Sequence, residues 1–407
     1  MSSNVMGGVV LGRLAALSMA VALSVAWLPP ALAEKVSSAV GKPLIEAQKS
    51  IQSGNLDGAL PLLAKARAAA KTPFEKLQVS EMFAFTYSKQ RNYGAAADAF
   101  ETSLSLNQYS GQERSKRLNQ ICQMRYQARS MDKALEACTR VAKDNPSGAT
   151  YGLLASMYRQ QRQYAASNNA IQSALRAGGS GESENLLQML YNNYFELRDI
   201  AGQRRALEQL VALKPSRDNW LRLQSLVEQK LPPKPRMDLD MARLRYVTGV
   251  ISKPDQYMEL AQLALEANLP AEAISVLAKG TADKVLGSGP GKPREDRLIN
   301  KAKADSAAGQ RELAAFDREA QAAKDGVKDL QLGQRYVSYG KQNEGIAAIK
   351  RAMGKGGIDA GEGQLRLGQS YYAAGKYADA LKSFNAVPAS SPFNAVAGLW
   401  SIQTRAK

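Results

Sequence analysis

A repeating pattern with a period of about 34 residues is the feature that most constrains the fold of this chain. Its clearest copy occupies residues 361–394. Two small residues there, Gly368 and Ala380, would let two antiparallel helices approach closely, and Gly375 would supply the turn between them. The large residues that would fill the remaining space are Tyr371, Tyr377 and Phe384. The pattern predicts a helix-turn-helix unit that must stack on further copies to bury its apolar face.

The same register recurs along most of the chain. It is found in residues 40–73, 77–110, 148–181, 184–217, 254–287 and 326–359. Two stretches fit it less well. Residues 218–253 contain Pro232, Pro233 and Pro235, so we interpret them as a degenerate repeat with a stiff insertion. Residues 288–325 begin as a Gly/Pro loop and then predict a pair of helices rich in Ala and charge.

The spacing resembles that of the tetratricopeptide repeat. The resemblance implies an all-α fold, a right-handed superhelix of helix-turn-helix repeats. Beyond the repeat, the chain is similar to an uncharacterised family of exported tetratricopeptide proteins of Gram-negative bacteria. This second likeness runs over nearly the whole chain after residue 33, and its more specific stretches are 257–265, 285–289, Tyr339-Gly340, 345–347 and Leu399-Trp400. It implies a periplasmic protein, and some members of the group look associated with TonB-type energy-transducing systems.

The N-terminus has the pattern of a secretion signal. Arg13 precedes an apolar run from Leu14 to Leu28, two prolines follow, and Ala31 and Ala33 form a small-x-small cleavage site. We expect cleavage after Ala33 and a periplasmic location. The alternative is a retained membrane anchor, for which the run is short.

The repeats, the prolines and the signal together predict the domain organisation. We expect a signal peptide at 1–33, an N-terminal repeat arm at 34–230, a proline-containing insertion with an intermediate repeat at 231–293, and a C-terminal arm at 294–407. Residues 393–407 are predicted to form a helix that caps the last repeat.

The chain has only two cysteines, Cys122 and Cys138. The repeat register places them on the first and second helix of one pair, facing each other, so a bridge is geometrically reasonable. Closing this short loop would contribute about 3 kcal/mol. The alternative is two buried thiols that fill core positions.

The composition argues against catalysis. The chain contains no histidine, which excludes the usual zinc sites and catalytic triads, and we expect no metal and no cofactor. A hydrolase acting through paired carboxylates is a remote alternative. The nearest pair, Asp238 and Asp240, lies near a predicted helix start, where acidic side chains compensate the helix dipole.

The inner face of the first helices predicts a binding groove, because extended concave surfaces are what helical repeats offer to partners. The candidate groove residues are Lys116, Asn119, Gln123, Tyr126, Arg159, Gln188, Asn192 and Phe195. Their amides could pair with a peptide backbone, and Arg159 could hold a carboxylate. The alternative for each of them is a solvated helix face.

The chain carries 54 Lys and Arg against 37 Asp and Glu, a net charge of +17. The basic runs, at 114–117, 159–162, 204–205 and 234–245, are spread out and lack interleaved aromatics, so we do not expect nucleic acid. The first hypothesis is a non-catalytic periplasmic scaffold that binds a protein or peptide in an envelope complex, for example a TonB-type system. The second is binding of an anionic envelope polymer or lipid head group, with membrane contact at most peripheral. Self-association is left open.

Overall fold

The computed structural model describes residues 36–178, 183–229, 231 and 235–407. Within these ranges the chain forms twenty helices and no strand, so the all-α prediction is confirmed. The predicted signal peptide at 1–33, its cleavage site after Ala33, and Pro232-Pro233 of the predicted insertion lie outside the described residues.

The chain divides into two compact units, one up to Met157 and one from Tyr158. The helices of the first unit are α1 (Ser38–Gln52), α2 (Leu56–Ala69), α3 (Pro73–Lys89), α4 (Tyr93–Ser105), α5 (Gly111–Gln127) and α6 (Met131–Asp144). Helix α7 (Gly148–Gln160) contains the boundary. The second unit continues with α8 (Tyr164–Ala177), α9 (Ser183–Glu196), α10 (Ile200–Leu213), α11 (Arg217–Glu228), α12 (Pro235–Val247), α13 (Pro254–Glu266), α14 (Pro270–Ala282), α15 (Lys292–Ala322), α16 (Val327–Ser338), α17 (Gln342–Lys355), α18 (Ala360–Ala373), α19 (Tyr377–Asn385) and α20 (Asn394–Arg405). The arm boundaries suggested by the sequence stay a prediction.

Consecutive helices pack as pairs. These are α1/α2, α3/α4 and α5/α6 in the first unit, and α9/α10, α13/α14, α16/α17 and α18/α19 in the second. The approach is close where small residues meet. A Cβ on Gly333 of α16 would lie 2.9 Å from the carbonyl oxygen of Gly345 on α17, and one on Gly345 would lie 2.7 Å from that of Gly333. This close packing of consecutive helices is the arrangement that the spacing predicts.

The turn inside each pair repeats the same backbone conformation. Gly375, the predicted turn residue, has φ +71°, and Gly54 and Gly340 have φ +81° and +77°. At the equivalent place in other repeats the left-handed residue is an arginine or asparagine: Arg91, Arg129, Arg162, Arg198 and Asn268. The next helix then starts from a side-chain cap in several pairs, as where Asn92 Oδ1 accepts from Ala95 N at 3.2 Å. Local chemistry therefore ends one helix and begins the next within about three residues.

The region 288–325 differs from the prediction of two helices. It contains one continuous helix, α15, which is 31 residues long. After Pro293 near its start this segment has no proline, and its single glycine, Gly309, stays helical, so nothing in the sequence ends the helix earlier. Gly309 is needed for packing, because a Cβ there would lie 2.8 Å from the Tyr339 hydroxyl oxygen.

The last helix, α20, contacts two separate groups of helices in the second unit. Trp400 stacks on Phe384 of α19, with ring centroids 5.9 Å apart, and meets Tyr372 of α18 edge-on at 5.2 Å. The same helix also contacts α10, α11 and α12. One of these contacts is a hydrogen bond from Gln403 Nε2 to the Val247 carbonyl oxygen, at 3.4 Å. The C-terminal helix therefore joins two parts of this unit that are far apart in sequence.

Candidate binding surfaces

Four of the predicted groove residues lie on α5 in the first unit. Lys116 and Gln123 are exposed, while Asn119 and Tyr126 are half-buried. Their spacing of three or four residues places them on one side of the helix. The Asn119 amide is already engaged, because its Nδ2 donates to the Ser115 carbonyl oxygen at 2.9 Å. Lys116 and Gln123 therefore have the larger freedom to meet a partner.

Helix α5 is held firmly from its other side. A disulfide joins Cys122 of α5 to Cys138 of α6, with Cα atoms 4.8 Å apart. Arg125, buried to 7% exposure, donates from Nη2 to Asp98 Oδ1 at 2.7 Å. Because these contacts tie α5 to both α4 and α6, the candidate face is carried on a rigid element.

A second anchor of α5 is Arg117, which pairs with Glu81 of α3 and lies 4.8 Å from the centre of the Phe100 ring. Tyr109 also donates a hydrogen bond to Glu81. Burial, together with this hydrogen bond, raises the pKa of Tyr109 to about 12. The hydroxyl therefore keeps its proton at physiological pH and serves as a structural donor.

Three predicted residues lie on α9 in the second unit, and two of them belong to a polar chain. Gln188 Nε2 donates to Asn192 Oδ1 at 3.2 Å. Arg222 of α11 donates from Nη1 to Gln188 Oε1 at 2.9 Å, and its guanidinium lies 4.2 Å from the centre of the Tyr191 ring. The hydrogen-bonded series Arg222–Gln188–Asn192 fixes the orientation of the two side-chain amides before a partner binds. The entropy cost of binding is therefore lower.

The third predicted residue on α9, Phe195, is an apolar side chain that is 61% exposed. Leu197 and Ile200, just after it in sequence, are 44% and 41% exposed. A run of large apolar side chains left in solvent is uncommon and often marks an interaction site. We call Gln188, Asn192, Arg222, Tyr191 and Phe195 together the α9 surface.

Arg159 forms hydrogen bonds inside the second unit. Its Nη1 donates to Asn193 Oδ1 at 3.2 Å and lies 3.5 Å from the Met189 carbonyl oxygen. Asn193 is fully buried and donates in turn to Ser167 Oγ and Asn168 Oδ1, at 2.8 and 2.9 Å. The predicted carboxylate binder is therefore also a structural donor that holds α9 in place.

Sequence reasoning missed Arg222, Tyr191 and Asn193. A usable signal exists for two of them, because Arg222 follows Gln188 by 34 residues and Asn193 follows Arg159 by 34 residues. Residues one period apart occupy equivalent places on adjacent repeats, so side chains long enough to span two helices can meet there.

Asp240, assigned from the sequence to helix-dipole compensation, has a different environment. It is fully buried and forms an ion pair with Arg366 of α18, 126 residues away. Gln369 Nε2 donates to the same Asp240 oxygen at 3.0 Å. Only Asp238 keeps the position expected for dipole compensation, in the first turn of α12.

Much of the positive charge is compensated locally. Among the described ion pairs are Arg114–Asp144, Arg140–Glu101, Arg204–Glu208, Arg205–Asp199, Arg243–Glu272 and Arg245–Glu228. These pairs include arginines from three of the predicted basic runs, 114–117, 204–205 and 234–245. They reduce the free cationic surface that an anionic polymer would need.

No helix in the described part of the chain is long and apolar enough to cross a membrane. Nor do the residues described here contain a cluster of three or more acidic or cysteine side chains placed to hold a metal ion.

No protein-family model and no curated protein matches the sequence. Solved structures with stacked helices do. The structure of Naa15/Naa10 bound to HypK-THB has 14% identity and a TM-score of 0.39, over 84% of this chain. The chain spans 57% of that protein's length. A tetratricopeptide repeat protein from Parabacteroides merdae has 9% identity and a TM-score of 0.29, over 81% of this chain and 99% of its own.

A third similar structure is the TPR2AB domain of yeast Sti1 in complex with pHSP90. It has 15% identity and a TM-score of 0.32, over 65% of this chain and 98% of its own. At TM-scores below 0.5 none of these likenesses supports a statement about a partner. The assignment of helical repeats rests on the packing and turns of this chain itself.

Proposed function

We propose that this protein is a non-catalytic scaffold that binds a protein or peptide partner in the periplasm. The observation that carries the proposal is the α9 surface, where oriented amides and the exposed ring of Phe195, three residues after Asn192, share one helix. Amides pair with main-chain groups of a peptide, and an exposed aromatic ring is a typical anchor in an interface. The combination fits a peptide that offers backbone hydrogen bonds and one apolar side chain.

The cellular setting is part of the same proposal. It is supported by the signal-like N-terminus and by the disulfide between Cys122 and Cys138, since such bonds persist in oxidising compartments. An envelope complex, such as a TonB-type system, is the setting that the family resemblance suggests.

Photo-crosslinking in living cells tests the proposal. Phe195 is replaced by a benzoyl-phenylalanine crosslinker, which keeps an aromatic ring at the surface. The matched control carries the same crosslinker in place of Leu213, which is 51% exposed in the same unit. We expect one protein adduct from position 195 and none from 213.

A second variant tests whether the adduct depends on the hydrogen bond between Gln188 and Asn192. Replacing Asn192 with Ala removes the acceptor of Gln188 at a half-buried position, where the fold tolerates a smaller side chain. We expect the adduct to weaken several-fold while the thermal unfolding curve stays the same. The proposal is wrong if position 195 gives no protein adduct, or if both positions capture the same mixture.

A further inference from the structure

A cleft of about 290 Å³ opens within the second unit, away from the α9 surface. It is bounded by residues of α12, of α13 and the turn after it, of α16 and of α18. Its apolar lining is Leu239 and Leu263, and its charged lining includes Glu266, Arg335, Glu362 and Arg366. The volume is at the small end of the range for ligand pockets.

The most buried charge of this cleft is Arg366, which is 3% exposed. Its Nη1 is bound to Asp240 and to Gln369, and its Nη2 lies 3.4 Å from Glu362 Oε1. Its Nε is fully buried and has no hydrogen-bond partner among the described residues. A buried N–H group without a partner is costly, so the charge of Arg366 is held here by its two Nη groups alone.

The charge around Arg366 decides what kind of group fits. Its guanidinium already faces two carboxylates, those of Asp240 and Glu362. A third full negative charge would be repelled by both of them, whereas an uncharged polar group meets no such repulsion. The floor of the cleft therefore favours an amide or similar uncharged polar group.

The walls carry two further charges that have no ion-pair partner in the described part of the chain. Glu266 of α13 accepts one hydrogen bond, from Gln262 at 3.0 Å, and is exposed. Arg335 of α16 has its guanidinium carbon 4.2 Å from the centre of the Phe316 ring and is half-buried. The cleft thus presents one negative group and one positive group on separate walls.

We propose that this cleft binds a small zwitterion of the dipeptide type. The ligand's carboxylate pairs with Arg335, its ammonium group with Glu266, and its uncharged central amide lies against Arg366. Leu239 and Leu263 supply the apolar contact for a side chain. The two separated wall charges distinguish a zwitterion from a simple anion or cation, each of which would leave one wall charge unmatched.

Isothermal titration calorimetry with four probes tests the proposal on the purified full-length protein. The probes are Ala-Ala, its N-acetyl form, its C-terminal amide and the doubly blocked form. We expect Ala-Ala to bind best and each block to weaken binding by about tenfold, because each removes one charge-assisted hydrogen bond. No binding of Ala-Ala at millimolar concentration, or equal binding of the doubly blocked form, would overturn the proposal.

Two variants test which charged group of the ligand each wall residue binds. In Glu266→Gln, N-acetylation should no longer weaken binding, while amidation still does. Arg335→Gln should show the opposite pattern. Both side chains lie at the surface or half-buried, so we expect folded proteins, checked by thermal unfolding. If N-acetylation still weakened binding to Glu266→Gln, or amidation still weakened binding to Arg335→Gln, the assignment would be contradicted. Asn192→Ala, which tests the α9 surface, should leave dipeptide binding unchanged and so separates the two proposals.

Discussion

Glu75, near the start of α3, shows how one side chain joins two repeats. Its Oε1 accepts hydrogen bonds from Ser37 N and Ser37 Oγ, at 2.9 and 2.6 Å. Its Oε2 accepts from Lys71 N and Thr72 N, at 2.9 and 3.1 Å. These bonds, the Ser37 hydroxyl foremost, lower the pKa of Glu75 from 4.5 to about 2. The carboxylate caps α3 and also ties it to the beginning of α1.

The lowered pKa of Glu75 predicts a pH-dependent contribution to stability. A carboxyl whose pKa is lower in the folded state stabilises fully above its unfolded value and loses that effect as the pH falls through the folded value. The free energy of unfolding of Glu75→Gln should therefore lie below that of the unmodified protein at pH 7. The gap should close between about pH 4.5 and pH 2.

Urea denaturation followed by circular dichroism, repeated across this pH range, measures the gap. Glu46→Gln, at an exposed position of α1, controls for the loss of one negative charge. A gap for Glu75→Gln that stays constant down to pH 2 would show that the hydrogen bonds to Ser37 do not favour the ionised carboxyl.

Residue-level roles are only partly readable from the sequence. The capping box of Thr72 and Glu75 is a local pattern, so it could be recognised in advance. The ion pair of Asp240 with Arg366 spans 126 residues and depends on how α12 and α18 come together, which no local pattern encodes. The same holds for the orphaned Nε of Arg366, which is visible only once its neighbours are placed.

At the scale of elements, helix pairing was predictable and the turn residues were only partly so. Glycine marks the left-handed turn at Gly54, Gly340 and Gly375. In other repeats an arginine such as Arg91 or Arg129 takes that conformation, which an L-residue adopts at some cost. Tertiary packing of the two helices fixes the turn and overrides the local preference, so a search for glycine alone misses these turns.

The contact of α16 with α17 yields a prediction that separates packing from helix propensity. In Gly333→Ala the new Cβ would lie 2.5 Å from Ile349 Cγ1 and 2.9 Å from the Gly345 carbonyl oxygen. We expect the free energy of unfolding to fall by about 1–3 kcal/mol, as in other overpacked cores. The matched control is Gly354→Ala on α17, where no heavy atom beyond the adjacent backbone of the helix lies within 4 Å of the new Cβ.

Alanine is the better helix former, so Gly354→Ala should be neutral or stabilise by up to about 1 kcal/mol. Guanidinium denaturation followed by tryptophan fluorescence measures both variants, because Trp220 and Trp400 are buried in this unit. If both variants gained stability alike, the close approach of the two helices would not be a constraint.

At the scale of the whole molecule, the repeat pattern predicts a linear series in which each repeat contacts only its neighbours in sequence. The second unit departs from that picture. Helix α20 packs on α18 and α19, and it also contacts α10, α11 and α12. Contacts at such separation depend on how many helices pack together, so periodicity alone does not reveal them.

This packing predicts a long-range effect of removing α20. Deleting residues 393–407 exposes the surface that Val396, Leu399 and Trp400 bury, and it removes the bond from Gln403 to Val247. Hydrogen exchange should therefore become faster in α10–α12 as well as in α18 and α19. Helices α1–α4, in the other unit, should exchange as before. Mass spectrometry of peptides resolves these regions, and a chain lacking only the exposed residues Ala406 and Lys407 is the control. Faster exchange confined to α18 and α19 would mean that the second unit behaves as a linear stack, with α20 as a simple end cap.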